Sequence, residues 1–355
     1  MIDNLFQKFC NSFPPYKLNN KFKKKFFYLI YSLFQKILKG PFVLNFGDFK
    51  LNAYPQRYDY SRSMLTRVEA PDPLERQIIK RNLLNQKNIF IDCGANAGFY
   101  AIDIAKSVTN CKVYAFEPSK KERFFLRENI KLNKITNIDV IDFAVGNKQG
   151  EVYFNDTRSD FGSDFKGGGY ITNNKPETIE NYAVQITTLD NFFINKLNFE
   201  NTSIFIKIDL EGLDLEAIEG SKELLTNYDC SVVFEFSKMI IKNHKPSLKI
   251  IDFLLEKNFK LLDMYGTNLS LQDLLKRIDD LDNDHDTCGN YFLSKKKLLF
   301  SVELKTKLLN MIKRKILIGI FSLFLMMYII CRFLSLATLN LYILKATCLT
   351  RYSQM

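Results

Sequence analysis

Three charged residues sit where a continuous apolar run is expected. In SIFIKIDLEG, residues 203–212, Lys207, Asp209 and Glu211 recur at every second position, so they share one side of an extended chain. Burying a charge is costly unless it is paired or used. Two accounts fit. Either Lys207 and Asp209 form a structural pair, or an ammonium and carboxylates form a functional cluster with acid–base and oxygen-binding capacity. Glu235, inside SVVFEFSK, is a similar intrusion, either the partner of a nearby lysine or part of the same cluster.

A second constellation lies upstream in IFIDCGANAGFYAIDIAK, residues 89–106. A short apolar run ends at Asp92, Gly94 and Gly98 follow, and the pattern turns helical. Strand, tight turn and helix N-terminus together make a cradle for a nucleotide-like ligand. The glycines are spaced G-x-x-x-G, not the G-x-G-x-x-G of a dinucleotide turn. About 20 residues later the next apolar run stops at Glu117, where an acid is placed to accept from two ribose hydroxyls. Pro118 behind it also allows a plain helix-capping role. The following run stops at Asp142 and Phe143, an acceptor for an exocyclic amine and a ring to pack on a base.

These residues need elements to hold them. Strand and helix patterns alternate: strands at 89–93, 112–116, 138–142, 204–210 and 231–236, with helices at 98–107, 118–133, 213–225 and 247–257 between and after them. Runs at 259–264 and 291–294 complete the set and come close together, which suggests an antiparallel edge. Residues 150–190 break the rhythm, with a glycine-rich loop across 155–182 that would cover a site. Such alternation implies an α/β fold, a parallel sheet with helices on both faces. Ligands bind beyond the carboxyl ends of its strands, where Asp92, Glu117, Asp142 and Asp209 all fall.

Composition narrows the class. Apolar residues make up 46% of the chain, enough for a sizeable core. Seven scattered cysteines without a C-x-x-C pair, and only His244 and His285, argue against a disulfide framework and against a metal site. The net charge of +11 is uneven: residues 1–40 and 295–315 carry about +7 each and 316–355 about +3, which leaves 41–294 near −6. A basic surface on the folded domain is therefore not expected, and nucleic acid is not the expected partner. Basic flanks suit an anionic membrane surface. FKKKFFYLIYSLFQKILKG, 22–40, reads as a surface-lying or domain-packed helix within a basic amphipathic segment 1–41. Residues 299–355 read as a basic linker and a hydrophobic tail, with a candidate membrane segment over 316–344 and KRK at 313–315 on the cytoplasmic side. The expected location is the cytoplasm, at the cytoplasmic face of a membrane.

FIDCGANAGFYA, VYAFEPS, RENIKLN, IDFAVGNKQGEVYF, ITTLDNF, IKIDLEGLDLEAIEG and VVFEF, in this order, resemble the FkbM family of S-adenosylmethionine-dependent methyltransferases. The resemblance runs from about Phe42 to Leu293, within a domain set at 42–298. It does not cover the first forty residues or the tail after Lys297. Cys93 stands where the family usually has a small aliphatic residue. The resemblance implies a class I methyltransferase (Rossmann-like) fold, a seven-stranded sheet with an antiparallel last strand. It implies S-adenosylmethionine as cofactor. Asp92, Gly94, Asn96 and Gly98 would approach its methionine end, Glu117 its ribose, Asp142 and Phe143 its adenine. It implies O-methylation of a hydroxyl on a sugar, glycan or small metabolite. A hydroxyl is a poor nucleophile and benefits from a base. Asp209 is the first candidate, Glu211 the second and His244 an alternative, while Lys207 would orient Asp209 or bind an acceptor oxygen. Two other classes stay open: a nicotinamide-dependent oxidoreductase, and a membrane-associated module that keeps the fold without the chemistry.

Overall fold

The computed structural model describes residues 21–38, 40–54, 72–83, 87–155, 170–172, 181–193, 199–210, 212–236, 247–280 and 289–300. All belong to one compact unit, Met1–Phe300. The tail with its 316–344 segment lies outside the described residues, as do Glu211, His244, His285 and most of the 155–182 loop. Among the described residues no helix is long and apolar enough to cross a membrane.

The chain begins with α1 (Lys21–Ile37), the hairpin β1 (Phe42–Asn45) and β2 (Lys50–Ala53), and α2 (Pro73–Asn82). Then come β3 (Lys87–Cys93), α3 (Phe99–Ser107), β4 (Cys111–Phe116), α4 (Lys120–Leu132) and β5 (Ile138–Ile141). Four short strands follow: β6 (Ala144–Val145), β7 (Gly150–Asn155), β8 (Tyr170–Thr172) and β9 (Asn181–Thr187). After α5 (Leu189–Phe193) the order is β10 (Thr202–Ile208), α6 (Asp214–Glu219), α7 (Lys222–Asn227), β11 (Cys230–Phe236) and α8 (Lys249–Glu256). The last elements are β12 (Lys260–Leu262), β13 (Asn268–Leu269), α9 (Leu271–Asp280) and β14 (Gly289–Ser294).

The main sheet has the order β13-β12-β14-β11-β10-β3-β4-β5. The strands from β11 to β5 run parallel, and β14 is antiparallel to both its neighbours. The class I fold with a reversed last strand is therefore present, but with eight strands rather than seven. The extra strand is the two-residue β13, folded back on β12. Its turn is held by the Asp263 carboxylate, which accepts from the N–H groups of Tyr265 and Thr267. Helix α9 separates β13 from β14 along the chain, while the two late runs of the sequence, β12 and β14, pair antiparallel as expected.

The pleat sorts β3 and β10 between two cores. Ile89, Ile91, Ile204, Ile206 and Ile208 face one core, with α6 to α9. Phe90 and Phe205 face the other, with α2, α3 and Leu126 of α4. Asp92, Lys207 and Asp209 follow the phase of Phe90 and Phe205, which aims them at α2 and α3.

Where the sequence breaks its rhythm, β6, β7, β8 and β9 form a second sheet, order β6-β9-β7-β8, around Val152, Phe154, Val184 and Ile186. One further reading is corrected. The helix expected over 213–225 is two helices broken at Gly220, where a Cβ would lie 2.0 Å from the Gly146 carbonyl oxygen. On α1, Tyr31 is buried, while Phe26, Leu29, Leu33 and Ile37 form an exposed stripe at helical spacing.

Candidate functional site

The turn after β3 is built by hydrogen bonds that close on themselves. Asp92 Oδ2 accepts from the Ala101 N–H at 3.0 Å and so caps the first turn of α3. Its Oδ1 is buried without a partner. The N–H groups of Gly94 and Ala95 both donate to the Phe116 carbonyl, which ties the turn to the end of β4. Glu117 then spans two loops. Its Oε2 accepts from the Asn96 N–H at 2.7 Å and its Oε1 from the Ser119 N–H at 2.8 Å. Ser119 in turn caps α4.

The two glycines answer to the protein's own packing. Gly94 has φ +83°, and a Cβ there would lie 2.1 Å from the Asp209 carbonyl oxygen, because the ends of β3 and β10 touch. Gly98 has φ +91°, and a Cβ would lie 2.4 Å from Leu126 Cδ1 on α4. Their spacing reports where β10 and α4 approach the turn. Asp142 is exposed at the end of β5, and Phe143 packs edge-on against Phe192.

Across the same carboxyl edge lies a cavity of about 230 Å3. Lys207 and Asp209 from β10, Glu235 from β11, Tyr100 from α3, Glu75 from α2 and Asn290 from β14 line it. Lys207 is 6% exposed, with Nζ 2.9 Å from Asp209 Oδ2 and 4.6 Å from the centre of the Tyr100 ring. Burial works against its charge, but Asp209, Asp92 and Glu75 outweigh it and raise its pKa, so Lys207 stays an ammonium. Glu75 is 1% exposed and accepts from Asn290 Nδ2 and from the Tyr100 hydroxyl. Burial pushes Glu75 up to about 7, against the pull of Lys207.

The structure thus brings Lys207 and Asp209 together as an ion pair and also sets them in a cavity wall. It places Asp92, Gly94, Asn96, Gly98 and Glu117 in one turn assembly. Glu211 lies outside the described residues. Sequence reasoning missed Glu75, Tyr100, Asn290 and Asp214. Glu75 looks like an ordinary first-turn acid after Pro73, and only its burial distinguishes it. Asp214 also opens a helix, and its Oδ2 accepts from the Leu210 and Gly212 N–H groups. Glycine two residues before an acid, just past a charged strand, was the signal available for it.

Residues 92–261 match the family model of the methyltransferase FkbM domain. Comparison with curated protein sequences finds no match. Among solved structures, the methyltransferase FkbM from Methylobacillus flagellatus KT is 14% identical, with a TM-score of 0.35, over 82% of this chain and 58% of that one. An rRNA methylase from Streptococcus thermophilus is 12% identical, with a TM-score of 0.35, over 66% of this chain and 99% of that one. The family match covers 170 of the 355 residues.

The buried carboxyls make a prediction about pH. Burial pushes Asp92 to about 6. It pushes Asp214 from 3.8 to about 8, helped by the Asp209 and Glu235 carboxylates. A carboxyl with a raised folded-state pKa binds more protons folded than unfolded, so its stabilisation is full below its unfolded value and is lost as pH rises through the folded one. The protein should therefore lose stability on going from pH 3.8 towards 8 at these groups. Asp214→Asn cannot ionise yet keeps a side-chain acceptor. It should flatten the dependence of Tm on pH and raise Tm above pH 8 by a few degrees; an unchanged slope would remove Asp214 as its source.

Proposed function

We propose that this chain, an FkbM methyltransferase domain over residues 92–261, transfers the methyl group of S-adenosylmethionine to a hydroxyl of a sugar, glycan or small metabolite. The family match carries the reading, because one matched segment takes in the Asp92 turn, Glu117 and the Lys207–Asp209 strand. It lends no support to the nicotinamide or the non-catalytic reading.

The residues fit the cofactor. Asp92 Oδ1 is a buried acceptor without a partner, suited to the ammonium of the methionine end. Glu117 holds two backbone N–H groups. These bonds fix the carboxylate at the end of β4, where the ribose would lie. Asp142 and Phe143 stand at the end of β5, where the adenine would lie. Bound there, S-adenosylmethionine supplies a sulfonium methyl that is already electrophilic, so the protein's main task is to align an in-line attack. Asp209 would accept the proton of the acceptor hydroxyl, and the cofactor would supply the methyl group and leave as S-adenosylhomocysteine. Lys207 fixes the Asp209 carboxylate by one oxygen.

Calorimetry tests the cofactor half. The full chain binds S-adenosylmethionine, and Glu117→Ala weakens binding by at least about tenfold, since hydrogen bonds to charged groups contribute about 1.5–3 kcal/mol each. Unchanged affinity removes Glu117 from the ribose. Turnover tests the other half: Asp209→Asn should lower kcat by about 100-fold or more, the usual scale of a general base, with cofactor affinity nearly intact. Full activity of that variant dismisses Asp209 as the base.

Membrane-surface association belongs to the same proposal and is supported by the exposed stripe of α1 beside a lysine-rich sequence. Sedimentation with vesicles of anionic phospholipid should capture the chain, and Leu33→Glu should weaken capture. A chain left in the supernatant refutes it.

A further inference from the structure

The wall of the cavity draws on residues that lie outside the matched segment 92–261: Glu75 before it and Asn290 after it. Helix α2 is held against α3 by Asp103, which pairs with Arg76, and with Lys80 at 2.6 Å. Arg76 also lies over the Phe99 ring, 5.0 Å from its centre. With Arg76 turned to α3, its neighbour Glu75 is left facing the cavity. Asn290 and the Tyr100 hydroxyl fix the Glu75 carboxylate there. A buried carboxyl held in place by two neutral donors, in the wall of a cavity, presents acceptor capacity to whatever enters.

The charges lining the space are lopsided. Asp72, Glu75, Asp209 and Glu235 contribute carboxyls, and Lys207 is the one cation among the described lining residues. That cation is already bonded to Asp209 at 2.9 Å. An entering phosphate or carboxylate would meet like charge in a partly desolvated space, where repulsion is strong. Hydroxyls and amines would meet acceptors.

We propose that Glu75 is an acceptor-binding residue of the transfer site, accepting a hydrogen bond from a hydroxyl or amino group of the acceptor, and that the cavity selects neutral or amino-bearing polyhydroxylated acceptors over anionic ones. This rests on the methyltransferase reading and narrows its acceptor class. The specificity determinant is then supplied by α2 and β14, not by the segment that binds the cofactor.

The test uses the full chain with saturating S-adenosylhomocysteine and a panel of monosaccharides in four forms: neutral, amino, uronic acid and phosphorylated. Ligand-observed NMR reads binding. Neutral or amino members should bind at least about tenfold tighter than their anionic counterparts, a difference of about 1.4 kcal/mol. Glu75→Gln, which keeps the shape and the Asn290 contact, should weaken the preferred members by about tenfold and leave affinity for S-adenosylhomocysteine within about twofold, the loss expected of one charge-assisted hydrogen bond. Equal or tighter binding of the anionic members, an unaffected Gln variant, or no binding by any member overturns the proposal. Failure of S-adenosylhomocysteine itself to bind sinks the methyltransferase reading instead, so the two failures are distinguishable.

Discussion

One buried ammonium organises the carboxyl edge of the sheet. Lys207 sits at the end of the central strand β10, beside Asp209, with Asp92 and Glu75 contributing to its field and the Tyr100 ring beneath it. Those partners come from β10, β3, α2 and α3. Desolvation alone would strip the charge from such a lysine, and the surrounding carboxylates reverse that. The dependence is mutual. Without the cation, carboxyls from three elements would share a poorly solvated space, and breaking a buried pair by removing one partner typically costs about 3–5 kcal/mol. The positions of α2 and α3 over the sheet are thus coupled to the ionisation of a single side chain.

The same edge is crowded on its other flank. β3 and β10 end in contact, so close that the Asp209 carbonyl occupies the place of a Cβ on Gly94. The Asp209 N–H donates to the Cys93 carbonyl at 3.1 Å. The residue proposed to take the acceptor proton is therefore fixed, through its backbone, to the turn proposed to hold the cofactor. A shift of either strand end would move both halves of the site together. That is the rigidity an in-line transfer needs, since small misplacements of the reacting atoms cost large factors in rate.

Much of this was legible in the sequence where the physics is local. The strands and helices from β3 to β5 follow from periodicity, Ser119 reads as a helix cap, and the charges in IKIDLEG mark a strand whose end carries an ion pair in a cavity wall. The Glu117 bridge spans 21 residues, within one strand–helix–strand unit. What could not be read depends on distant contacts. Glu75 meets Asn290 across a separation of 215 residues, and nothing in PLERQIIKRN marks its third residue as different from an exposed first-turn acid. β13 is two residues long, below what alternation can register. The break between α6 and α7 is set by Gly146 pressing on Gly220, a tertiary contact that overrides an uninterrupted helical pattern.

That division between local and distant contacts also separates the two halves of the site. The turn side is assembled mainly from β3, β4 and the loops after them, and the bonds of Asp92, Gly94, Ala95 and Glu117 all fall within about 25 residues, so its sequence pattern must stay narrow for the unit to close. The cavity side takes one wall from the strand ends and the other from α2 and β14, which reach it only through packing. Arg76 and Lys80 anchor α2 to Asp103 from a face that does not line the cavity. Glu75, which lines the cavity, is therefore not part of the ion-pair anchor of α2. The wall proposed to recognise the acceptor is thereby free to vary while the turn proposed to hold the cofactor is constrained by its own hydrogen bonds and by the approach of β10 and α4. A family recognisable from the turn and from IKIDLEG can accordingly leave its acceptor unreadable from those motifs.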